Sequence, residues 1–135
     1  MGTRAIFAVQ LDNGKYLGGW QWWDANIPPS ELNRRLSTIK EVDTLLAIGE
    51  WESLMSKHEK EDFIKFRRKN EMPEPIFTKV GKYYVHLDDY KTKHKRPSNG
   101  FCAPKVYASI KEMQGQDINF VYVFDTKTCR WEKYR

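Results

Sequence analysis

Ala5-Ile6-Phe7-Ala8-Val9-Gln10-Leu11-Asp12-Asn13-Gly14-Lys15-Tyr16-Leu17-Gly18-Gly19-Trp20-Gln21-Trp22-Trp23 is two apolar-rich runs divided by a turn. In the first run Ala5, Phe7, Val9 and Leu11 alternate with Ile6, Ala8 and Gln10, the two-residue period of a strand. Asn13-Gly14 tolerates the positive φ of a tight hairpin turn, so residues 15–23 read as the partner strand. Both faces of that strand carry large aromatics: Trp20 and Trp22 on one, Trp23 on the other. Gly18 and Gly19 mark a bulge or a place where something packs close to the backbone.

Outward from this hairpin, the breaks and caps order the rest of the chain. Pro28-Pro29-Ser30 ends the strand and opens a helix, with Ser30 as N-cap and Leu32 and Leu36 on one face. Thr38-Ile39-Lys40-Glu41 matches a capping box and starts a helix with Ile39, Val42, Leu45 and Leu46 at helical spacing, closed by Gly49. Ser56 and Glu59 form a second capping box. It leads into a charged helix whose apolar residues are Phe63, Ile64 and Phe66, a peripheral insert over residues 57–75 ended by Pro73 and Pro75. Residues 76–80 and 82–87 around Gly81 read as a central hairpin or a bent strand, 91–100 as a basic loop, 106–114 as a short helix, and 119–124 with 130–134 as a last hairpin. The expected fold is therefore α+β in one domain: an antiparallel sheet of N-terminal, central and C-terminal hairpins, with two or three helices on one face.

The 135 residues are 40% hydrophobic and 14% aromatic, enough to bury a core and too aromatic for a disordered chain. The formal net charge of +5 favours anionic partners. Cys102 and Cys129 stand far apart, with no zinc-type Cys/His spacing, so no metal or other cofactor is expected; whether they pair is left open. No stretch is long and apolar enough for a bilayer, and no secretion signal opens the chain, so a cytoplasmic protein is expected.

Several stretches carry a resemblance. Met1-Gly2-Thr3-Arg4, the aromatic run 16–24, Pro28-Pro29, residues 38–54 (TIKEVDTLLAIGEWESL) and the ending Asn119-Phe120-Val121-Tyr122-Val123-Phe124-Asp125 with Trp131 resemble a family of small tailed-phage proteins. Members begin M-[AG]-T-R and carry a W-D-G-Y-P-type stretch after the first hairpin. They have a helix ending L-I-x-x-G-D, a following S-S-L, and a final Y-x-Y-x-F-x-x-x-x-W hairpin. The W-D-G-Y-P stretch stands here as Trp23-Asp24-Ala25-Asn26-Ile27-Pro28, without its glycine and second aromatic. The shared motifs are structural, so the resemblance implies a phage or prophage origin and no particular activity. It also implies that Trp20 and Trp22 are core and that Trp23, beside Asp24, is the tryptophan to find exposed.

Candidate chemistry is sparse. No GxSxG, Walker, GxGxxG or HExxH pattern occurs, and no enzymatic activity is expected. His86 beside Asp88 and Asp89 is compatible with acid–base or metal chemistry, but a half-buried strand with His86 and Tyr84 on its polar face accounts for it as well. His58 sits among charges in a capping box, His94 in the basic loop. Cys102, between Phe101 and Ala103, fits a small buried residue. Lys91, Lys93, Lys95 and Arg96 crowd four cations into one loop, a pattern that contacts phosphates or an acidic protein face. Tyr84 and Tyr90, with Tyr83 and Tyr107, lie close enough in sequence to flank them. Arg67 and Arg68 could add to a basic surface or complement the dipole at a helix C-terminus.

Small size, phage resemblance and a basic, tyrosine-flanked loop together lead to one expectation: a non-catalytic phage inhibitor. It would bind a host or bacterial-immunity protein, for example a CRISPR effector or another nucleoprotein complex, through Lys91, Lys93, Lys95, Arg96, Tyr84, Tyr90, Arg67, Arg68 and Trp23. The alternatives are direct nucleic-acid binding, a sponge that sequesters a signalling nucleotide between aromatics and arginines, and a nuclease using Asp88 and Asp89.

Overall fold

A computed structural model describes residues 2–87 and 103–135. The first hairpin forms as its sequence requires. Strands β1 (Ala5–Gln10) and β2 (Tyr16–Gln21) pair antiparallel with Phe7 opposite Gly19, across a turn in which Gly14 has φ +85°. The terminal hairpin also forms, from β8 (Phe120–Asp125) and β9 (Arg130–Tyr134). The two hairpins join through a parallel pairing of β1 with β8, Ile6 opposite Val121. Reciprocal bonds open that seam: the Arg4 N–H donates to Asn119 Oδ1 at 2.9 Å, and the Asn119 N–H to the Arg4 carbonyl at 2.8 Å.

Two short strands complete the far side of β2. β3 (Glu50–Trp51) runs parallel to its C-terminal end, and β7 (Lys105–Tyr107) antiparallel to its N-terminal end. The class is α+β, as expected. The large sheet is mixed, in the order β3-β2-β1-β8-β9 with β7 also on β2. The central hairpin, β5 (Ile76–Val80) and β6 (Tyr83–Leu87), lies apart with β4 (Ser53–Met55) in a small antiparallel sheet. Gly81, at φ +59°, turns it; a Cβ there would meet the Arg35 carbonyl at 2.4 Å.

Among the described residues four helices pack on this frame: α1 (Pro29–Arg35), α2 (Ile39–Ile48), α3 (Lys57–Lys69) and α4 (Ile110–Gln114). Helix α1 starts earlier than expected, with Pro28 rather than Ser30 as N-cap and Pro29 at its first position, where a missing N–H costs nothing. Both capping boxes are present at Thr38/Glu41 and Ser56/Glu59, each side chain of this kind contributing about 1 kcal/mol.

Leu32, Leu36, Val42, Leu45 and Leu46 close over one face of the large sheet, meeting Phe7, Trp51, Tyr122, Phe124 and Trp131. Ile39, expected on that apolar face, is exposed. Not all helices share one face: α4 covers part of the other, its Met113 packing with Ile6, Ala8, Tyr107 and Val121. The expected helix over 106–114 is thus two elements, since Val106 and Tyr107 belong to β7 and the helix begins at Ile110. Helix α3 buries no residue completely and rests on the small sheet.

Gly18 and Gly19 serve the two faces in turn. A Cβ on Gly19 would sit 2.7 Å from the Trp51 ring, and one on Gly18 would sit 2.8 Å from Ile6 and 3.1 Å from the Tyr107 ring. Their bare backbone is what lets one aromatic lie flat on each side of β2. Among the described residues no helix is long and apolar enough to cross a membrane.

Candidate functional site

The register that buries Phe7 and Trp51 sends Ile6, Trp20 and Glu50 to the other face of the large sheet, which the short α4 covers only in part. Beyond the last β2 residue the chain keeps its alternation, so Trp22 follows Trp20 on that face. Their rings lie 5.4 Å apart, tilted by 39°. Both indoles are half-buried, so the expectation that they are core holds only in part. The parallel strand β3 is just two residues long and stops before it can cover them.

Polar partners hold the two rings in place. The Trp20 Nε1–H donates to the Tyr107 hydroxyl at 3.0 Å, and the Trp22 Nε1–H to Glu50 Oε1 at 2.8 Å. The Arg4 guanidinium stands 5.9 Å from the Trp22 ring centre and pairs with Asp117 at 3.1 Å. Between the indoles and β7 lies an open depression of about 180 Å³, walled by Trp20, Trp22, Glu50 and Lys105 and lined also by Gly18, Gly49 and Ala103. With the indole donors bonded, it offers a ligand two aromatic ring faces and a small-residue lining. Arg4 faces Asp117 and Glu50 faces the Trp22 N–H, so local charge is nearly balanced. Such a surface suits an apolar or aromatic side chain, and Trp and Arg are the residue types that dominate binding energy at protein interfaces.

Among the described residues, the expected site residues Tyr84, Arg67, Arg68 and Trp23 do not line this depression. Lys91, Lys93, Lys95, Arg96 and Tyr90 lie outside the described residues, as do His94, Asp88, Asp89 and Cys102. Tyr84 is half-buried in the small sheet, with the Lys60 ammonium 4.3 Å and the Lys79 ammonium 5.7 Å from its ring. Arg67 donates to the Pro73 carbonyl at 2.9 Å and stacks over Phe63, while Arg68 pairs with Glu74 at 2.7 Å. Both arginines fasten the turn after α3. Trp23 is exposed as expected, at 50%, and lies against Gly2, where a Cβ would meet its ring at 2.2 Å. Cys129 is an exposed free cysteine in the last turn.

Three neighbouring residues also read differently in three dimensions. His86 is buried between Phe63 and Phe77 at 5.0 and 5.4 Å rather than on a polar strand face, because α3 covers that side of the small sheet. Tyr83 and Tyr107 are buried, not available to flank a ligand. The Tyr83 hydroxyl donates to Glu31 at 2.5 Å; burial, then that bond, raise its pKa above the ordinary phenol value. Glu31 also lines a cleft of about 570 Å³ together with Asp24, Glu59 and Asp62, an acidic hollow in a basic protein. Among the described residues no group of three or more His, Cys, Asp or Glu side chains is placed to hold a metal ion.

Arg4, Glu50 and Lys105 were not singled out by sequence reasoning. Extending the hairpin register beyond Ile6 opposite Trp20 would have placed Arg4 beside Trp22; Glu50 and Lys105 arrive on strands too short to show a period. Comparison of the chain with protein-family models, curated proteins and solved structures finds no match.

Proposed function

We propose that this protein is a non-catalytic inhibitor, phage-encoded by the resemblance of its sequence, that binds a host or bacterial-immunity protein such as a CRISPR effector complex inside the infected cell. The observation that carries this reading is the pair of half-open indoles beside a small-residue-lined depression of balanced charge. Aromatic pockets that lose their water on binding seat the anchor side chain of a protein partner. The cations Lys91, Lys93, Lys95 and Arg96 meet acidic groups on the same partner; in the chain, Arg96 comes seven positions before Ala103, which lines the depression.

The test is capture from bacterial lysate with and without nuclease, joined to an assay of immune interference. A specific protein retained through nuclease treatment is expected. Trp22→Ala should weaken its capture at least tenfold, about 1.4 kcal/mol, and reversal of the four loop cations to Glu should weaken it further. Capture that ignores both changes would remove the site, and capture lost on digestion would remove the reading.

A second reading is single-stranded nucleic-acid binding. It is favoured by the Arg4 guanidinium over Trp22 on an open sheet face, the arrangement on which bases stack. It requires log affinity to fall linearly with log salt, so a flat salt response would eliminate it.

A further inference from the structure

The cleft of about 570 Å³ is walled by two separate parts of the chain. The link after β2 and the start of α1 bring Asp24 and Glu31; the first half of α3 brings Glu59 and Asp62. Ile27, Leu54 and Phe63 supply apolar surface between the acids. Among the described residues no Lys or Arg lines the cleft, and none of its lining residues adjoins residues 88–102 in the chain. Internal bonds take up part of the charge. Glu31 accepts from the Tyr83 hydroxyl, Glu59 from the Ser56 N–H at 2.9 Å, and Asp62 stands 3.2 Å from His58 Nε2. Each of these contacts uses one carboxylate oxygen, and the Asp24 carboxylate meets no partner among the described residues. Ser53 is a second and independent sign. It is 3% exposed, stands opposite His86 in the β4–β6 ladder and lines the cleft. Its hydroxyl has no hydrogen-bond partner among the described residues, whereas buried side-chain polar groups are nearly always bonded. The cleft is where a partner for it can enter.

We infer that this cleft binds a small organic cation with ammonium groups on methylene stems, the chemistry of a polyamine. Carboxylates from both walls take the ammonium groups, in charge-assisted bonds. The Ser53 hydroxyl, with two lone pairs, accepts one further N–H bond. The stems lie on Ile27, Leu54 and Phe63, as the stems of long basic side chains lie on apolar surface. Among the described residues no three of these acids converge to hold a metal ion, so the match is to charges spread along a stem. The net charge of +5 opposes polycations elsewhere on the protein, which makes the attraction local to the cleft. Lysine side chains of a peptide carry the same chemistry, but the cleft has the size of a small-molecule site. It lies apart from the tryptophan face and does not depend on the protein-binding reading. A ligand there would join α1 to α3, the helix that buries no residue fully.

The experiment is calorimetric titration of the full chain with spermidine at low salt, with magnesium chloride and a three-lysine peptide as comparison probes. One saturable site for spermidine is expected, with amide exchange slowed across α3 in the complex. Asp24→Asn combined with Asp62→Asn should weaken binding about tenfold. Asn keeps the shape of both side chains and tolerates the φ of +53° at position 24. Ser53→Ala should also weaken binding about tenfold, yet leave Tm of the free protein unchanged or higher, because no internal bond is lost. A purely structural role for Ser53 would move Tm and spare the affinity. Absence of a saturable site, affinity unchanged in both variants, equal protection of α3 by magnesium, or tighter binding of the peptide than of spermidine would each overturn the proposal.

Discussion

Gly19→Ala adds one methyl group at the most crowded point of β2. The new Cβ would lie 2.7 Å from Trp51 Cζ3, 3.0 Å from Cη2 and 3.1 Å from the Gly49 carbonyl. Trp51 has no easy retreat: it is buried, packs 5.7 Å from Phe7, and its Nε1–H donates to Gln21 Oε1 at 2.9 Å. Overpacking a closed core costs about 1–3 kcal/mol. Replacing glycine within a strand returns about 0.5–1 kcal/mol of backbone entropy. The difference spans about 0–2.5 kcal/mol, and the 2.7 Å approach to a ring with no retreat places the net loss in its upper part, about 1–2 kcal/mol. For a chain of this length 1 kcal/mol corresponds to about 3–4 °C in Tm, so calorimetry should show a fall of about 3–8 °C. Shrinking the ring should relieve the clash: in a Trp51→Phe background the same change should cost less than about 0.5 kcal/mol, a coupling that a double-mutant cycle reads directly. Gly115→Ala is the control, since its Cβ meets nothing nearer than 3.4 Å. A neutral or stabilising Gly19→Ala, or strict additivity with Trp51→Phe, would refute the claim that Gly19 exists to admit Trp51.

Other consequences are open to direct measurement. Tyr122→Phe deletes a buried hydroxyl that donates to the Ala25 carbonyl at 2.5 Å and accepts from the Ile27 N–H at 2.8 Å, so denaturant unfolding should show a loss of about 2–4 kcal/mol; a loss below about 1 kcal/mol would mean water replaces it. Ser56→Ala should speed amide exchange across α3 while leaving Tm within about 2 °C, because that helix buries no residue fully, whereas Thr38→Ala should lower Tm by about 3–4 °C through α2, which buries Val42, Leu45 and Leu46. Tyr83 and Tyr122 are raised by burial, and Tyr134 is pushed up to about 12, chiefly by its bond to Glu132. The folded state therefore keeps protons that the unfolded chain releases above pH 10, so stability should be unaffected by these groups below pH 10 and fall as pH rises through 12 and beyond. Tyr83→Phe should flatten that fall, and an unchanged alkaline slope would contradict it.

The parts of the fold legible in the sequence were those with local causes. Asn13-Gly14 fixes a turn, Thr38/Glu41 and Ser56/Glu59 satisfy helix donors within one turn, two-residue alternation marks β1, and β5, β6, β8 and β9 are short apolar-rich runs bounded by turn residues. What escaped depends on distant partners. Strands β3 and β4 have two and three residues and show no period. Val106 and Tyr107 continue smoothly toward an apolar helix in sequence, yet Tyr107 is taken by the bare backbone of Gly18, eighty-nine positions earlier. The same limit shaped the site. The alternation placing Trp20 and Trp22 together was visible. Their partial exposure was not, because it follows from the shortness of β3 and of α4. Arg67 and Arg68, read from sequence both as helix-end charge and as part of a basic binding surface, stand in the last turn of α3 and reach Pro73 and Glu74.

The parallel seam between β1 and β8 has a consequence for how the chain folds. Its first bonds join Arg4 and Asn119, 115 positions apart. During synthesis the N-terminal hairpin can close within its own residues, but Phe7 cannot meet Tyr122 until nearly the whole protein has been made. Until then the hairpin presents one half-built apolar strand with an unpaired edge, the state in which nascent chains aggregate or recruit chaperones. Closing so long a loop is slow, and the largest step in protection of Ile6 and Phe7 should coincide with docking of the terminal hairpin. A stalled chain ending before Phe120 would carry all four described helices and still lack its centre.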